Sequence, residues 1–113
     1  MADVKPIRLR FEDGKEYTLE FDRDTVAYAE DIGFDPDDFN SKAMNATTRF
    51  FHLAFRMHHP DITEEETTKI LIDDLGGLSQ DMINRLIALY NKPYAELMNK
   101  TGKPKNAKLT VAM

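Results

Sequence analysis

The stretch AMNATTRFFHLAFRMHHP, residues 43–60, decides the fold. At about 100° per residue, a helix over this stretch gathers its polar residues on one narrow stripe and leaves an apolar arc about twice as wide as that of a surface helix. A helix with so wide an arc needs neighbours on several sides. We therefore predict that it is the core helix, that its aromatic residues pack in the core, and that Pro60 ends it. The polar stripe consists of Asn45, Arg49, His52, Arg56 and His59.

A β-hairpin is predicted before this helix. Residues Ile7–Phe11 and Tyr17–Phe21 alternate apolar and polar side chains, as strands with one buried face do. The Asp13-Gly14 pair between them favours a tight turn. Because a lone hairpin is marginal in water, it must lie on the helices or gain a strand from a second chain or from residues 109–111.

Capping residues predict a short helical region before the core helix. One helix begins after Asp22 or Asp24 and ends at Ile32, since Gly33 is a typical stop. The Asp35-Pro36 pair then predicts one more turn of helix.

Two helices are predicted after the core helix. The first starts with a capping box at Thr63 and Glu66 and runs to about Leu75, with Leu71, Ile72 and Leu75 as its apolar side. The second is capped by Ser79, and Pro93 should kink it or break it near Leu89. Its apolar face consists of Met82, Ile83, Leu86, Ile87, Leu89, Tyr90, Tyr94, Leu97 and Met98.

The order of elements predicts an α+β fold, an N-terminal β-hairpin packed on a mainly helical body of about four helices. Residues 1–98 form one domain, and residues 99–113 form a basic, flexible tail. The tail contains four of the 15 basic residues and none of the 20 acidic ones, so a net charge of −5 for the chain becomes −9 for the body. An acidic body does not favour a nucleic-acid partner, whereas the tail could contact phosphate or an acidic protein.

Composition excludes several kinds of protein. The chain has no cysteine, so it has no disulfide framework and no thiolate metal site. No apolar run approaches the roughly 20 residues of a membrane span, and the N-terminus lacks a signal-peptide pattern. We expect a cytoplasmic protein without a membrane partner.

No spacing of residues indicates catalysis or a cofactor. His58 and His59 are adjacent and point about 100° apart on a helix, so they cannot converge on a metal ion. His52 and His59 share the polar stripe, but two such residues make an incomplete site. We expect His58 to be a hydrogen-bonded histidine of the core or helix end. The acids at residues 35–38 lack the glycine of a calcium loop, and no phosphate loop or catalytic triad is present. The sequence predicts a non-enzymatic protein with no catalytic residue, metal or cofactor.

Three runs of residues resemble a group of small phage and prophage proteins encoded in tail modules. They are Tyr17–Val26, Ala29–Phe34, and Phe51-His52-Leu53-Ala54-Phe55 followed by His58-His59. The resemblance covers Ile7 to Met98, and the wider set is the tail assembly chaperones of long-tailed phages. It implies a small, acidic, largely helical protein that binds the tape-measure protein and recruits tail-tube subunits in the host cytoplasm. It also implies absence from the mature virion, and it implies no catalytic residue.

Such a chaperone needs apolar surface that is available to a partner. We expect this surface to consist of the apolar arc of the core helix and one side of the last helix. The same surface could instead serve self-association into a homo-oligomer. The tail lysines would add an electrostatic contact. The predicted partner-binding residues are Phe50, Met57, Tyr90, Tyr94, Lys100, Lys103, Lys105 and Lys108.

The alternative is a small phage-encoded transcriptional regulator that uses the last two helices as a DNA-binding unit. Gln80 and Asn84, near the start of the last helix, could read bases. The preceding helix is strongly acidic and Arg85 is the nearest cation, so phosphate anchoring would be poor.

Overall fold

The predicted hairpin forms the N-terminal part of the structure, a computed structural model that describes residues 4–113. Strands β1 (Ile7–Arg10) and β2 (Glu16–Leu19) pair antiparallel, with Ile7 opposite Leu19. Both of these side chains are buried. Gly14 supplies the positive φ angle, +93°, that the turn requires. Within the described residues the sheet contains β1 and β2 alone, so residues 109–111 do not add a strand.

Five α-helices follow the hairpin, which confirms the α+β class with a mainly helical body. The fourth continues directly into a π-helical turn at Ile70–Asp74. No helix in residues 4–113 combines the length and hydropathy needed to cross a membrane. The helices are α1 (Arg23–Asp31), α2 (Asp38–Ser41), α3 (Ala43–Leu53), α4 (Glu64–Lys69) and α5 (Gln80–Glu96).

Three of the predicted N-caps are present, whereas the turn of helix predicted after Asp35-Pro36 begins at Asp38 and has no side-chain cap. The Asp22 carboxylate accepts the Thr25 backbone N–H at 2.8 Å, and the Thr25 hydroxyl oxygen accepts the Asp22 N–H at 2.8 Å. Thr63 and Glu66 form the same reciprocal arrangement at α4. Ser79 caps α5 by accepting the Met82 N–H. These side chains satisfy backbone donors that the first turn of a helix leaves free.

The prediction that the core helix reaches Pro60 is wrong, because α3 ends at Leu53. Residues 54–58 form turns instead. The Ala54 carbonyl accepts the N–H of Glu20 at 2.9 Å, so the chain after α3 bonds to the end of the hairpin. A tertiary hydrogen bond therefore competes with continuation of the helix, and proline sets only the farthest point that the helix could reach.

The expectation that Ile72 faces the core is also wrong, since its side chain is 61% exposed. In the π-helical turn the Leu75 N–H donates to the Ile70 carbonyl five residues earlier, at 2.9 Å. The buried residues Thr67, Ile70 and Leu71 are spaced i, i+3 and i+4, so they form one face of the helix, and Ile72 lies outside that face.

Helix α5 is continuous through Pro93, so the predicted break near Leu89 does not form. Pro93 lies three residues before the helix ends at Glu96, so less than one turn of helix follows it. The predicted apolar face is buried only in part. Leu86, Leu89 and Tyr90 are buried, whereas Ile87, Tyr94, Leu97 and Met98 are exposed. Residues 99–113 lie outside every helix and strand.

One apolar core joins the hairpin to the helices. Its largest fully buried side chains include Phe51 and Phe55, from the stretch that we predicted to be central. Helix α5 contacts both α1 and β1, while α3 contacts α2 and α4.

The cap of α1 gives a direct test of this local structure. Replacing Asp22 with alanine removes the acceptor for the Thr25 N–H, and we expect a loss of about 1 kcal/mol in the free energy of unfolding. Urea denaturation followed by circular dichroism measures this change. Asp24→Ala is the matched control, because Asp24 lies in the same first turn but does not cap it. Equal effects of the two substitutions would contradict the assigned cap.

Candidate functional site

An apolar groove of about 300 Å³ opens between α2, α3 and the first half of α5. Helix α5 contributes residues spaced i, i+3 and i+4, which lie on one face of a helix. No charged side chain lines the groove, and Thr47 is the one polar residue in its lining. The lining residues are Phe39, Thr47, Phe50, Leu78, Ile83, Leu86 and Ile87. We call this feature the apolar groove.

A stack of aromatic rings supports the wall that Phe50 forms. The Phe50 ring lies parallel to those of Phe21 and Phe34, with centroids 5.5 Å and 5.6 Å away. Tyr90 contacts Phe50 edge-on at 5.6 Å. Since these rings come from different parts of the chain, they hold Phe50 firmly in place, and only 5% of its side chain is exposed. The opposite wall is more open, because Ile87 is 44% exposed.

The structure brings only one of the predicted partner-binding residues, Phe50, into this groove. The expectation that Tyr90 lies on an accessible surface is wrong, because its ring is buried within the aromatic stack. Phe50 is also too deeply buried to present a surface by itself. Met57 is partly exposed in the turn after α3, outside the groove. The four tail lysines, residues 100, 103, 105 and 108, belong to the segment beyond the last helix.

Tyr94 is partly exposed but has a structural contact. Its hydroxyl donates to the Glu30 carboxylate at 2.5 Å and so links α5 to α1. This hydrogen bond requires the neutral phenol, and it raises the pKa of Tyr94 well above the ordinary value. Tyr94 therefore helps to position α5, and substitutions there would not separate binding from folding.

Sequence reasoning missed three wall residues, Phe39, Leu78 and Thr47. Phe39 lies in the single turn of α2, and Leu78 lies in the connection before α5. Neither carries a local signal for a groove, because the groove exists only once α2 and α5 are both placed beside α3. Ile83 and Ile87 did have a signal, since both fall on the predicted apolar face of the last helix.

Comparison with known proteins gives one match over the whole length. Residues 1–113 match the family described as a domain of unknown function, DUF5055. The chain belongs to this family. No curated protein and no solved structure matches it.

All three histidines of this DUF5055 chain make hydrogen bonds. His52 Nδ1 lies 3.1 Å from the Thr67 hydroxyl, and His58 Nε2 lies 2.8 Å from the Glu20 carboxylate. His59 Nε2 accepts the Thr18 backbone N–H at 3.0 Å. His58 is exposed rather than part of the core. Within residues 4–113 no group of three histidine, aspartate or glutamate side chains is arranged to hold a metal ion.

His59 bonds to the backbone of β2 through the Thr18 N–H. A ring nitrogen that accepts an N–H must be unprotonated, so this hydrogen bond favours the neutral imidazole. Burial lowers the pKa of His59 further, and the neighbouring His58 adds to the effect. Burial also lowers the pKa of His52, as the nearby Arg56 does, although Glu64 acts in the opposite direction.

Both shifts have the same consequence for stability. In the folded protein the pKa values of His52 and His59 lie below the ordinary value of 6.5. Below about pH 6.5 the unfolded chain therefore binds more protons than the folded chain. The stability that comes from the neutral imidazoles is therefore present above about pH 6.5. It is lost as the pH falls through the lowered pKa values of the folded protein.

His59→Gln should flatten this pH dependence, because it removes one of the two sites that resist protonation. We expect the urea midpoint of the wild type to fall between about pH 7.5 and about pH 5.5, and that of the variant to fall less. Asn45→Gln is the control and should leave the profile unchanged, because Asn45 is an exposed residue whose side chain carries no charge. A His59→Gln profile parallel to that of the wild type would contradict the assigned role.

Proposed function

We propose that this chain is a non-enzymatic phage tail assembly chaperone whose apolar groove binds a helix of the tape-measure protein. The observation that carries the proposal is the groove itself, with a supported aromatic wall and an exposed isoleucine opposite. Folded proteins seldom leave such surface open without a use for it. The resemblance of residues 7–98 to tail-module proteins supplies the identity of the partner.

The dimensions of the groove support a helix as the occupant rather than a free small molecule. At about 300 Å³ it lies at the lower limit of the usual range for small-molecule pockets, and no charged side chain lines it to orient a ligand. An amphipathic helix, by contrast, inserts one or two apolar side chains at a time and covers the rest of the rim with its backbone and polar face. A long helical protein offers such side chains repeatedly.

The charge distribution supports a second contact. The body is acidic, and the tail carries four lysines and no acid. In the proposed complex the groove holds the apolar face of the tape-measure helix, and the tail contacts acidic residues on that helix or on the tail-tube subunits that the chaperone recruits. The chaperone then acts in the host cytoplasm and is released before the virion matures.

The regulator alternative gains no support from the start of α5. The Gln80 side-chain amide donates to the Asn84 side chain at 2.9 Å, so the two residues that could read bases are bonded to each other. The first turn of the helix also carries Asp81, which would repel phosphate.

Ile87→Ser tests the groove. Burial of one isoleucine contributes about 1.5–3 kcal/mol, so we expect the variant to bind the tape-measure protein at least about tenfold more weakly. The measurement is a tagged pull-down from host cells with the tail region induced, read by mass spectrometry and followed by titration of the recovered protein.

Ile72→Ser is the matched control, because Ile72 is equally apolar and exposed but lies outside the groove. Circular dichroism must show that both variants fold as the wild type does. Equal recovery of the tape-measure protein with the two variants would overturn the groove as the binding site. Failure of the wild type to recover a tape-measure or tail-tube protein would overturn the chaperone proposal.

The tail contact predicts a change in salt dependence. Replacing the four tail lysines with glutamine should weaken binding at low salt and flatten its dependence on ionic strength, because screened attraction between charges is removed. A control with the same change in net charge replaces four body lysines with glutamine. An identical salt profile for the two variants would contradict a specific role of the tail. The four that are replaced are Lys5, Lys15, Lys69 and Lys92, and the fifth body lysine, Lys42, is left unchanged.

A further inference from the structure

A second cleft, of about 280 Å³, lies on the other side of α3, where α1 and the start of α4 approach it. The polar stripe of the sequence faces this cleft through Arg49, His52 and Arg56. Thr47 and Phe50 of the same helix line the apolar groove instead. The two features are therefore separate, and the chaperone proposal makes no use of this one.

Two arginines in the cleft have no acidic partner. Neither Arg49 nor Arg56 forms an ion pair in residues 4–113, where the ion pairs are Arg10–Glu16 and His58–Glu20. Acidic residues outnumber basic ones in this chain, 20 to 15, so lone arginines are not explained by a shortage of carboxylates. Glu64 lines the same cleft and still pairs with neither.

The cleft holds one of these arginines in a fixed position. The Arg56 guanidinium carbon lies 3.6 Å from the centroid of the Tyr28 ring, a cation–π contact that ties the turn after α3 to α1. A guanidinium on an aromatic face keeps its N–H groups available at its edge. Tyr28 and Ile32 also supply apolar surface to the cleft.

Hydrogen bonds fix the orientation of His52. The Thr67 hydroxyl donates to the Glu64 carbonyl at 3.1 Å, so its oxygen accepts from the Nδ1–H of His52. Thr67 is fully buried, which holds this chain of bonds in place. The second ring nitrogen, Nε2, has no hydrogen-bond partner in the described part of the chain.

We propose that this cleft binds a carboxylate group attached to a small apolar moiety. Arg49 and Arg56 supply the N–H donors whose fork geometry matches a carboxylate, and Tyr28 and Ile32 cover the apolar part of the ligand. With His52 neutral, the charged side chains that line the cleft, two arginines and one glutamate, sum to +1. That sum fits a single negative charge, and Glu64 repels a phosphate dianion more strongly than a carboxylate.

The carboxylate can come from a free metabolite or from an acidic side chain of a protein. The test uses propionate for the first source and glutamate capped at both ends for the second, with capped glutamine as the uncharged analogue. Each is titrated into the full-length protein, and the NMR signals of the His52 ring are recorded. Binding should be saturable, and it should raise the pKa of His52, since a bound anion favours the imidazolium.

Arg49→Gln is the main variant, because Arg49 lines the cleft without the aromatic contact that Arg56 makes. We expect it to weaken binding about tenfold, the effect of losing one charge-assisted pair. Arg85→Gln is the matched control, since Arg85 is an exposed arginine of α5 outside the cleft. Arg56→Gln should weaken binding by a similar factor, and circular dichroism checks that it folds.

These titrations distinguish a carboxylate site in the cleft from general charge attraction. Saturable binding of propionate or capped glutamate that Arg49→Gln weakens and Arg85→Gln leaves unchanged supports the site, and the tighter ligand identifies the source. Signals that shift without saturation would overturn it, as would an equal response to capped glutamine. Equal weakening by Arg49→Gln and Arg85→Gln would also overturn it, because that result indicates general charge attraction.

Discussion

The packing of four aromatic rings determines the arrangement of this fold. Phe21, Phe34 and Phe50 are stacked in parallel, and Tyr90 meets each of them edge-on at 5.2–5.9 Å. The rings come from the end of the hairpin, the segment after α1, α3 and α5. Aromatic pairs contribute about 0.5–1.5 kcal/mol each beyond the area that they bury. This cluster thus positions α3, α5 and the segment after α1 relative to the hairpin, and through Phe50 it supports one wall of the apolar groove.

Much of this arrangement follows from local sequence rules. Hairpin alternation, the Asp-Gly turn and the three N-caps all depend on residues within about four positions of one another, which is why the sequence predicts them correctly. The end of α3 could not be predicted in this way. It depends on a bond between Ala54 and Glu20, which are far apart in sequence. The exposure of Ile72 has a different reason, because the buried face of this helix consists of Thr67, Ile70 and Leu71 and so includes a polar residue that hydrophobicity alone does not assign to the core.

The candidate site was predictable only in part, for the same reason. Residues Ile83 and Ile87 belong to a helical face that the sequence shows, and Phe50 belongs to the predicted core helix. Their assembly into a groove requires the spatial placement of α2, whose single turn carries Phe39. Burial of Tyr90 was missed because helical periodicity gives the direction of a side chain but not how far a neighbouring element covers it.

The groove stays open because of the unequal lengths of its two sides. Helix α2 has four residues and contacts α3, whereas α5 has 17 residues and contacts α1 and β1. The first half of α5 forms one side of the groove, and Ile87 is left with solvent on one side. Closing this gap would require a longer α2 or an additional helix. A helix from a partner, seated between α2 and α5 against Phe50, would supply the missing layer without moving the aromatic stack, so the binding cost would fall mainly on the partner.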